Sequence, residues 1–407
     1  MSKKIVITQM PYGEDTLQIS ALWEENRVLD LYLQSVKTRS MLGDIYLGKV
    51  ERVAHDLKAA FVRLDHNQMC FLSLKDCTSP VYKQPQRQGM PKPGDELLVQ
   101  VVREALKEKL PAVSTNLSFT GKYLVLTTGE HQLGMSSKLE KRDKERLKQL
   151  LESKKEENIG VIVRTEAACA TNQEILEEYT ALTCECQNVL QYGITRTCFS
   201  CIRQAQPEWA GLLQRIPVSE LNEVVTDLPA VYQDVVHYIE QTGFFQKEKV
   251  RLYEDPMLPL YKLYRFEKTL EDGLQEKVWL KSGGFLVIQQ TEAFIAIDVN
   301  SGKCETKKDA EALYRKINLE AAHEIAYQLR LRQLSGIILI DFINLKQQKH
   351  REEIMGVLSN VLKKDPSQTV VVDMTKLQIV EVTRKKTRKS LKEVLADGRK
   401  GSDYALV

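Results

Sequence analysis

Asp298 and Asp341 are the residues of this 407-residue chain best placed to do chemistry. Each closes an apolar run: Phe294-Ile-Ala-Ile-Asp-Val-Asn300 in one case, Gly336-Ile-Ile-Leu-Ile-Asp-Phe-Ile343 in the other. Between them Leu313, Ile317, Ala321, Ile325 and Leu329 recur four apart, the apolar stripe of a helix from about 309 to 333. Strand, helix and strand at these lengths predict a right-handed crossover with parallel strands. Both carboxylates then sit at strand carboxyl ends, where open α/β sheets bind ligands. Asn300, two residues beyond Asp298, shares its face of the strand. Two carboxylates and an amide make an oxygen-only site, suited to a hard ion such as Mg²⁺, with Mn²⁺ the alternative. Either aspartate alone reads equally well as a loop cap after a strand. The pair at the two ends of one crossover is what points to a metal, and it says nothing of the substrate.

The elements before this unit are smaller. Ile5 and Ile7 open a strand segment, and residues 17–23 and 28–33, joined by the turn 24–27, form a hairpin. Five short strands follow, at 43–53, 59–63, 69–73, 96–103 and 112–118, with a loop carrying Pro80, Pro85, Pro91 and Pro93. That pattern suits an OB-type barrel. Residues 121–171 place strands at 123–127 and 159–165 around a charged helix at 139–153. Thr171-Asn-Gln-Glu174 is a capping box opening the next helix. Residues 208–276 are mixed, with a helix near 228–241. The fold class is therefore α/β multidomain, α+β overall.

Bulk composition constrains less. Lys and Arg number 58 against 55 Asp and Glu, a net charge of +3, so any nucleic-acid surface must come from local clustering. A hydrophobic content of 43% supports two or three cores. No secretory pattern and no apolar run of about 20 residues is visible, so the expectation is a cytoplasmic protein without a membrane span. Cys184-x-Cys186 and Cys198-x-x-Cys201 invite a zinc reading. The helical pattern through Leu176, Tyr179, Leu182 and Val189 turns Cys184 and Cys186 away from each other. Zinc is disfavoured, and small buried hydrophobes are the expectation.

Ser282-Gly-Gly-Phe-Leu-Val-Ile-Gln-Gln-Thr-Glu-Ala293, Ile297-Asp-Val-Asn-Ser301, Asn318-Leu-Glu-Ala-Ala322, Ile325-Ala-Tyr-Gln-Leu-Arg-Leu-Arg332 and Gly336-Ile-Ile-Leu-Ile-Asp-Phe342 resemble the catalytic core of ribonucleases E and G. The match runs from about 280 to 391 and is looser but collinear before that. The resemblance implies a ribonuclease H-like fold (1–39 and 208–276) interrupted by an OB barrel (40–118) and a 5′-sensor region (119–207). A deoxyribonuclease I-like core (277–395) and a tail (396–407) follow. It implies that Asp298 and Asp341 hold the metal, supported by Asn300, for hydrolysis of single-stranded RNA to 5′-phosphate and 3′-hydroxyl products. The substrate would be AU-rich mRNA or rRNA precursor, favoured by a 5′-monophosphate, in RNA processing or decay. A non-catalytic RNA-binding protein retaining the fold is the alternative.

The same resemblance places RNA-stacking aromatics at Phe61 and Phe71, and strand alternation agrees, since Phe61 shares a face with Arg63 and Phe71 with Ser73. Lys109 is a weaker RNA-binding candidate, lacking the usual flanking glycines. A 5′-phosphate pocket falls on Arg164 and Thr165, with backbone help near Gly121 and Val125. An arginine common before this region's helix is Ser137 here, beside Lys138. The run Thr383-Arg-Lys-Lys-Thr-Arg-Lys389 offers Arg384, Lys385 and Arg388 as a phosphate track. After Leu395, relatives commonly continue into a Cys-Pro-x-Cys zinc link and a small dimerising domain, whereas this sequence reads Ala396 to Val407. The expectation is a monomer or a weak homodimer.

Overall fold

A computed structural model describes residues 3–37, 39–65, 68–105, 109–129, 132–137, 139–154, 156, 158–302, 310–386 and 388–400, with side chains to 396. The chain divides into two compact units, Met1–Arg39 with Glu220–Gln241 and Gln246–Val407, and Ser40–Ser219 with Thr242–Phe245.

The first unit contains two sheets. One runs Val250–Leu252, Leu221–Thr226, Lys3–Tyr12, Asp15–Glu24, Arg27–Ser35 in spatial order. Its last three strands form an antiparallel meander, while Leu221–Thr226 joins Lys3–Tyr12 in parallel. The expected hairpin turn is a two-residue one, with Glu25 and Asn26 at φ 43° and 69°. Positive φ at both central positions matches the twist of the flanking strands. Val6, Leu17, Ile19 and Leu31 bury against Leu260, Phe266 and Leu270 from two short helices.

The second sheet carries the two aspartates. Its order is Lys277–Trp279, Phe285–Gln290, Ile295–Asn300, Gly336–Asp341, Ile379–Arg384, Thr369–Met374. The expected crossover is present: helix Ala310–Leu331 links Ile295–Asn300 to Gly336–Asp341, and those strands are parallel neighbours. Period-two alternation sends Leu286, Ile288, Ile295, Ile297, Val299, Ile338, Ile340, Val380 and Val382 to one face. There they pack on Ile317, Ala321, Ile325 and Leu329 of the crossover helix and on Ile354 and Leu358 of helix Gln348–Leu362. Both of these helices lie on that face, and Asp298 and Asp341 are exposed on the other.

The second unit holds a closed five-stranded barrel ordered Ile45–Ala54, Ala59–Arg63, Met69–Ser73, Ala112–Ser114, Glu96–Arg103, with the last strand pairing back onto the first. This is the OB-like arrangement expected from five short strands in this region. Val50, Ala60, Val62, Cys70, Leu72, Leu97, Val99 and Val113 fill it. A four-stranded sheet, Leu133–Met135, Gly160–Val163, Leu124–Thr127, Ser118–Thr120, packs with helices Lys141–Glu152 and Asn172–Gly193 around Phe119, Leu147, Val161 and Ile175. Thr171 and Glu174 form the expected capping box.

Candidate functional site

The ladder between strands Ile295–Asn300 and Gly336–Asp341 pairs Asp298 directly with Asp341. Neighbouring strands lie about 4.8 Å apart, so the carboxylates stand side by side on the open face. Asn300 donates from Nδ2 to Asp298 Oδ2 at 2.7 Å, which holds that carboxylate in place. Burial pushes the Asp341 carboxyl above its ordinary value, and the Asp298 charge pushes it further. Two like charges in this position favour a cation between them. Among the described residues no group of three or more His, Cys, Asp and Glu side chains gathers to hold a metal. A pair of carboxylates with room for water suits Mg²⁺, which keeps several waters and uses one or two carboxylates with substrate phosphate.

Three residues beside this pair lie in the stretches quoted from the sequence, which assigned them no role. Asn318, fully buried on the crossover helix, donates from Nδ2 to Ile343 O at 2.7 Å and accepts from Ile343 N–H at 3.1 Å. That pair of hydrogen bonds fixes the chain two residues beyond Asp341. Glu320, on the same helix, accepts from the N–H groups of Lys281 and Ser282 in the turn before strand Phe285–Gln290. Gly284 lies so close to Asn300 that an added Cβ would meet its carbonyl oxygen at 2.8 Å. Asn318 left one readable signal, an amide set among the buried Ile317, Ala321 and Ala322. Glu320 left none.

In the barrel, Phe61 and Phe71 face each other across adjacent strands, with edge-to-face rings 6.3 Å apart. Both are half-buried on the outer surface, as alternation indicated. The Arg52 guanidinium lies 4.1 Å from the Phe61 ring centre, and Arg63 pairs with Glu51 at 2.9 Å. Lys109 is exposed in the segment just before the strand Ala112–Ser114.

Arg164 and Thr165 sit where strand Gly160–Val163 passes into a 3₁₀ turn. Thr165 Oγ1 lies 3.0 Å from Ser136 Oγ, and Arg164 donates from its guanidinium to Gly121 O. The backbone help expected at Gly121 and Val125 takes a different form. Gly121 N–H donates to Leu124 O, and Val125 lies mid-ladder between Thr120 and Ile162. The next three amides, of Lys122, Tyr123 and Leu124, all donate to the half-buried Glu178 carboxylate at 2.8–2.9 Å. Burial raises the Glu178 carboxyl, with those N–H groups and Arg164 pulling the other way. A phosphate here would be met by the Arg164, Thr165 and Ser136 side chains rather than by the loop's amides. Lys138 lies outside the described residues.

The family model of the ribonuclease E/G family matches residues 118–387, a span containing both aspartates, Asn300 and Arg164. Ribonuclease G of Haemophilus influenzae is 30% identical over 388 residues, 93% of this chain and 79% of that protein. The chain belongs to the ribonuclease E/G family. Ribonuclease G of Escherichia coli is likewise 30% identical over 390 residues, covering 90% of this chain and 77% of its own. Ribonuclease E of Haemophilus influenzae is 30% identical over 382 residues, only 41% of its length. Membership makes this ribonuclease E/G chain an enzyme of the endoribonuclease class.

Within this family member the basic run divides. Arg384 leaves the expected phosphate track: its side chain is 2% exposed, pairs with Asp365 at 2.7 Å and donates to Leu334 O. Alternation accounts for this, since Val380, Val382 and Arg384 share the buried face. Lys385 is exposed, and the Arg388 guanidinium lies 4.9 Å from the centre of the Tyr32 ring. The cysteine expectation also needs correction. Of the four in the two pairs only Cys186 is buried; Cys198 is half-buried, and Cys184 and Cys201 are exposed. Among the described residues no helix is long and apolar enough to cross a membrane.

Proposed function

We propose that this chain cuts single-stranded RNA internally by metal-dependent hydrolysis at the open face of the Asp298–Asp341 sheet. The observation that carries the reading is the pairing of Asp298 with Asp341 in register, in a chain of this family. Asp298 and Asp341 would hold Mg²⁺ or Mn²⁺, and Asn300 would keep the Asp298 carboxylate turned toward it. When bound, the ion supplies Lewis-acid polarisation of a phosphoryl oxygen and lowers the pKa of water. Attack on phosphorus with departure of the 3′-oxygen leaves 3′-hydroxyl and 5′-phosphate ends. Phe61 and Phe71 would stack bases, with Arg52, Lys109, Lys385 and Arg388 near the backbone. Arg164, Thr165 and Ser136 would meet a 5′-monophosphate. The sheet assembled from both flanks of the inserted unit supports a ribonuclease H-like assignment, and the two-layer sheet with its crossover helix supports a deoxyribonuclease I-like one.

The test is cleavage of a 5′-monophosphorylated, AU-rich RNA oligonucleotide with Mg²⁺, beside Asp298→Asn and Asp341→Asn. Internal cutting that both substitutions and a chelator lower at least about 1,000-fold is expected. RNA that binds tightly but is never cut, across ions and 5′ ends, would replace this reading with a non-catalytic RNA-binding protein.

A further inference from the structure

The open sheet face carries a second feature beside the carboxylates. Trp279, on the edge strand Lys277–Trp279, is 65% exposed. The chain's other two tryptophans are placed differently: Trp209 is buried and Trp23 packs edge-on against Tyr264 at 5.0 Å. Trp279 pairs with Phe285, which pairs with Asn300; in the adjacent row Lys277 pairs with Val287, which pairs with Asp298. All six lie on one face, since residues two apart on a strand point the same way. The rings of Trp279 and Phe285 are 5.3 Å apart, and the Lys277 ammonium lies 4.1 Å and 3.8 Å from their centres.

We infer that Trp279 and Phe285, with Lys277, form a base-stacking platform for the RNA nucleotide next to the scissile phosphate. The inference rests on the nuclease reading above. Strand spacing places the Trp279 strand about 10 Å from the Asp298 strand, a reach suited to a base flanking a phosphate held at the carboxylates. An exposed indole has a π-face on which any base can stack, and the Lys277 ammonium over the Trp279 and Phe285 rings offsets the charge of a neighbouring phosphate. Phosphate attracted by Lys277 and a base laid on Trp279 would fix the strand's register over Asp298 and Asp341. The platform thus assigns positioning to residues that touch substrate away from the reacting bond.

The experiment uses the full chain and 5′-monophosphorylated RNA oligonucleotides, intact or carrying one abasic nucleotide at each position around the cut. Binding is followed in chelator by RNA fluorescence anisotropy and by tryptophan emission; cleavage is followed with Mg²⁺. RNA is expected to quench the emission of wild type and not of Trp279→Phe, which keeps near-normal affinity. Trp279→Ala is expected to weaken binding about 5- to 150-fold. That loss should vanish when the abasic nucleotide occupies one position beside the cut. If Trp279→Ala binds and cuts as wild type does, or if its loss persists at every abasic position, the platform is overturned while the nuclease reading stands. Quenching that follows protein concentration without RNA would also overturn it, in favour of self-association. If wild type neither binds nor cuts RNA, both readings fall together.

Discussion

Asp341 is held beside a like charge, and that arrangement has a thermodynamic signature. Its carboxyl is raised by burial and by Asp298, so the folded chain binds that proton more tightly than the unfolded chain does. As pH rises through the unfolded value toward the raised folded one, the site removes stability, and the loss is complete above the folded value. Asp341→Asn should therefore raise the melting temperature at neutral pH without divalent ions, with the gain disappearing below the ordinary carboxylate range. Mg²⁺ should raise the melting temperature of wild type and not of the variant. A wild type that melts identically with and without Mg²⁺ would count against a metal at this pair. The basic run offers a contrast. Arg384→Ala strands the buried Asp365 and should cost about 3–5 kcal/mol in denaturant unfolding. Lys385→Ala should leave stability within about 0.5 kcal/mol and, as a phosphate contact, lower the salt slope of RNA binding by about 1.

At the scale of elements, the crossover was legible because its signals are periodic. Two β-rich apolar runs, a four-residue stripe and a carboxylate at each strand end reach the structure with little change. The barrel was legible for the same reason, with strand 59–63 and strand 69–73 alternating as expected. What periodicity does not carry is hydrogen bonding between distant polar groups. The Asn318 clamp on Ile343, the Glu320 grip on Ser282 and the Glu178 carboxylate under three loop amides each join residues far apart in sequence. Arg384 is a different case, because alternation with Val380 and Val382 did mark it for the interior and a run of charges obscured that. The clamp can be tested. Asn318→Ala leaves the amide and carbonyl of the half-buried Ile343 without the Asn318 partner and should cost roughly 1–3 kcal/mol. If the clamp positions Asp341, kcat should fall several-fold in folded protein while RNA affinity holds. A loss of stability with kcat intact would make Asn318 a packing residue only.

The whole chain has a net charge of +3, too little for a general field to gather RNA. Affinity must then reside in local surfaces, and the two compact units place them differently. The Asp298–Asp341 face belongs to one unit, and the Phe61–Phe71 pair belongs to the other. If the barrel aromatics bind and the carboxylates react, the two functions separate in kinetics. Phe61→Ala or Phe71→Ala should weaken RNA binding by about 1–3 kcal/mol, roughly 5- to 150-fold in Kd, through lost stacking. The single-turnover rate at saturating RNA should stay near wild type, because uniform binding energy lowers KM without altering the chemical step. Asp298→Asn should do the opposite, retaining affinity and losing the rate. The competing account of the aromatics is packing: each ring is half-buried and edge-to-face with the other, a contact worth about 0.5–1.5 kcal/mol beyond buried area. Denaturant unfolding decides between them. Phenylalanine variants that lose stability but bind RNA normally would return Phe61 and Phe71 to the barrel's own architecture. Variants that keep stability within about 1 kcal/mol and lose RNA affinity would make the outer barrel face the chain's RNA-gathering surface.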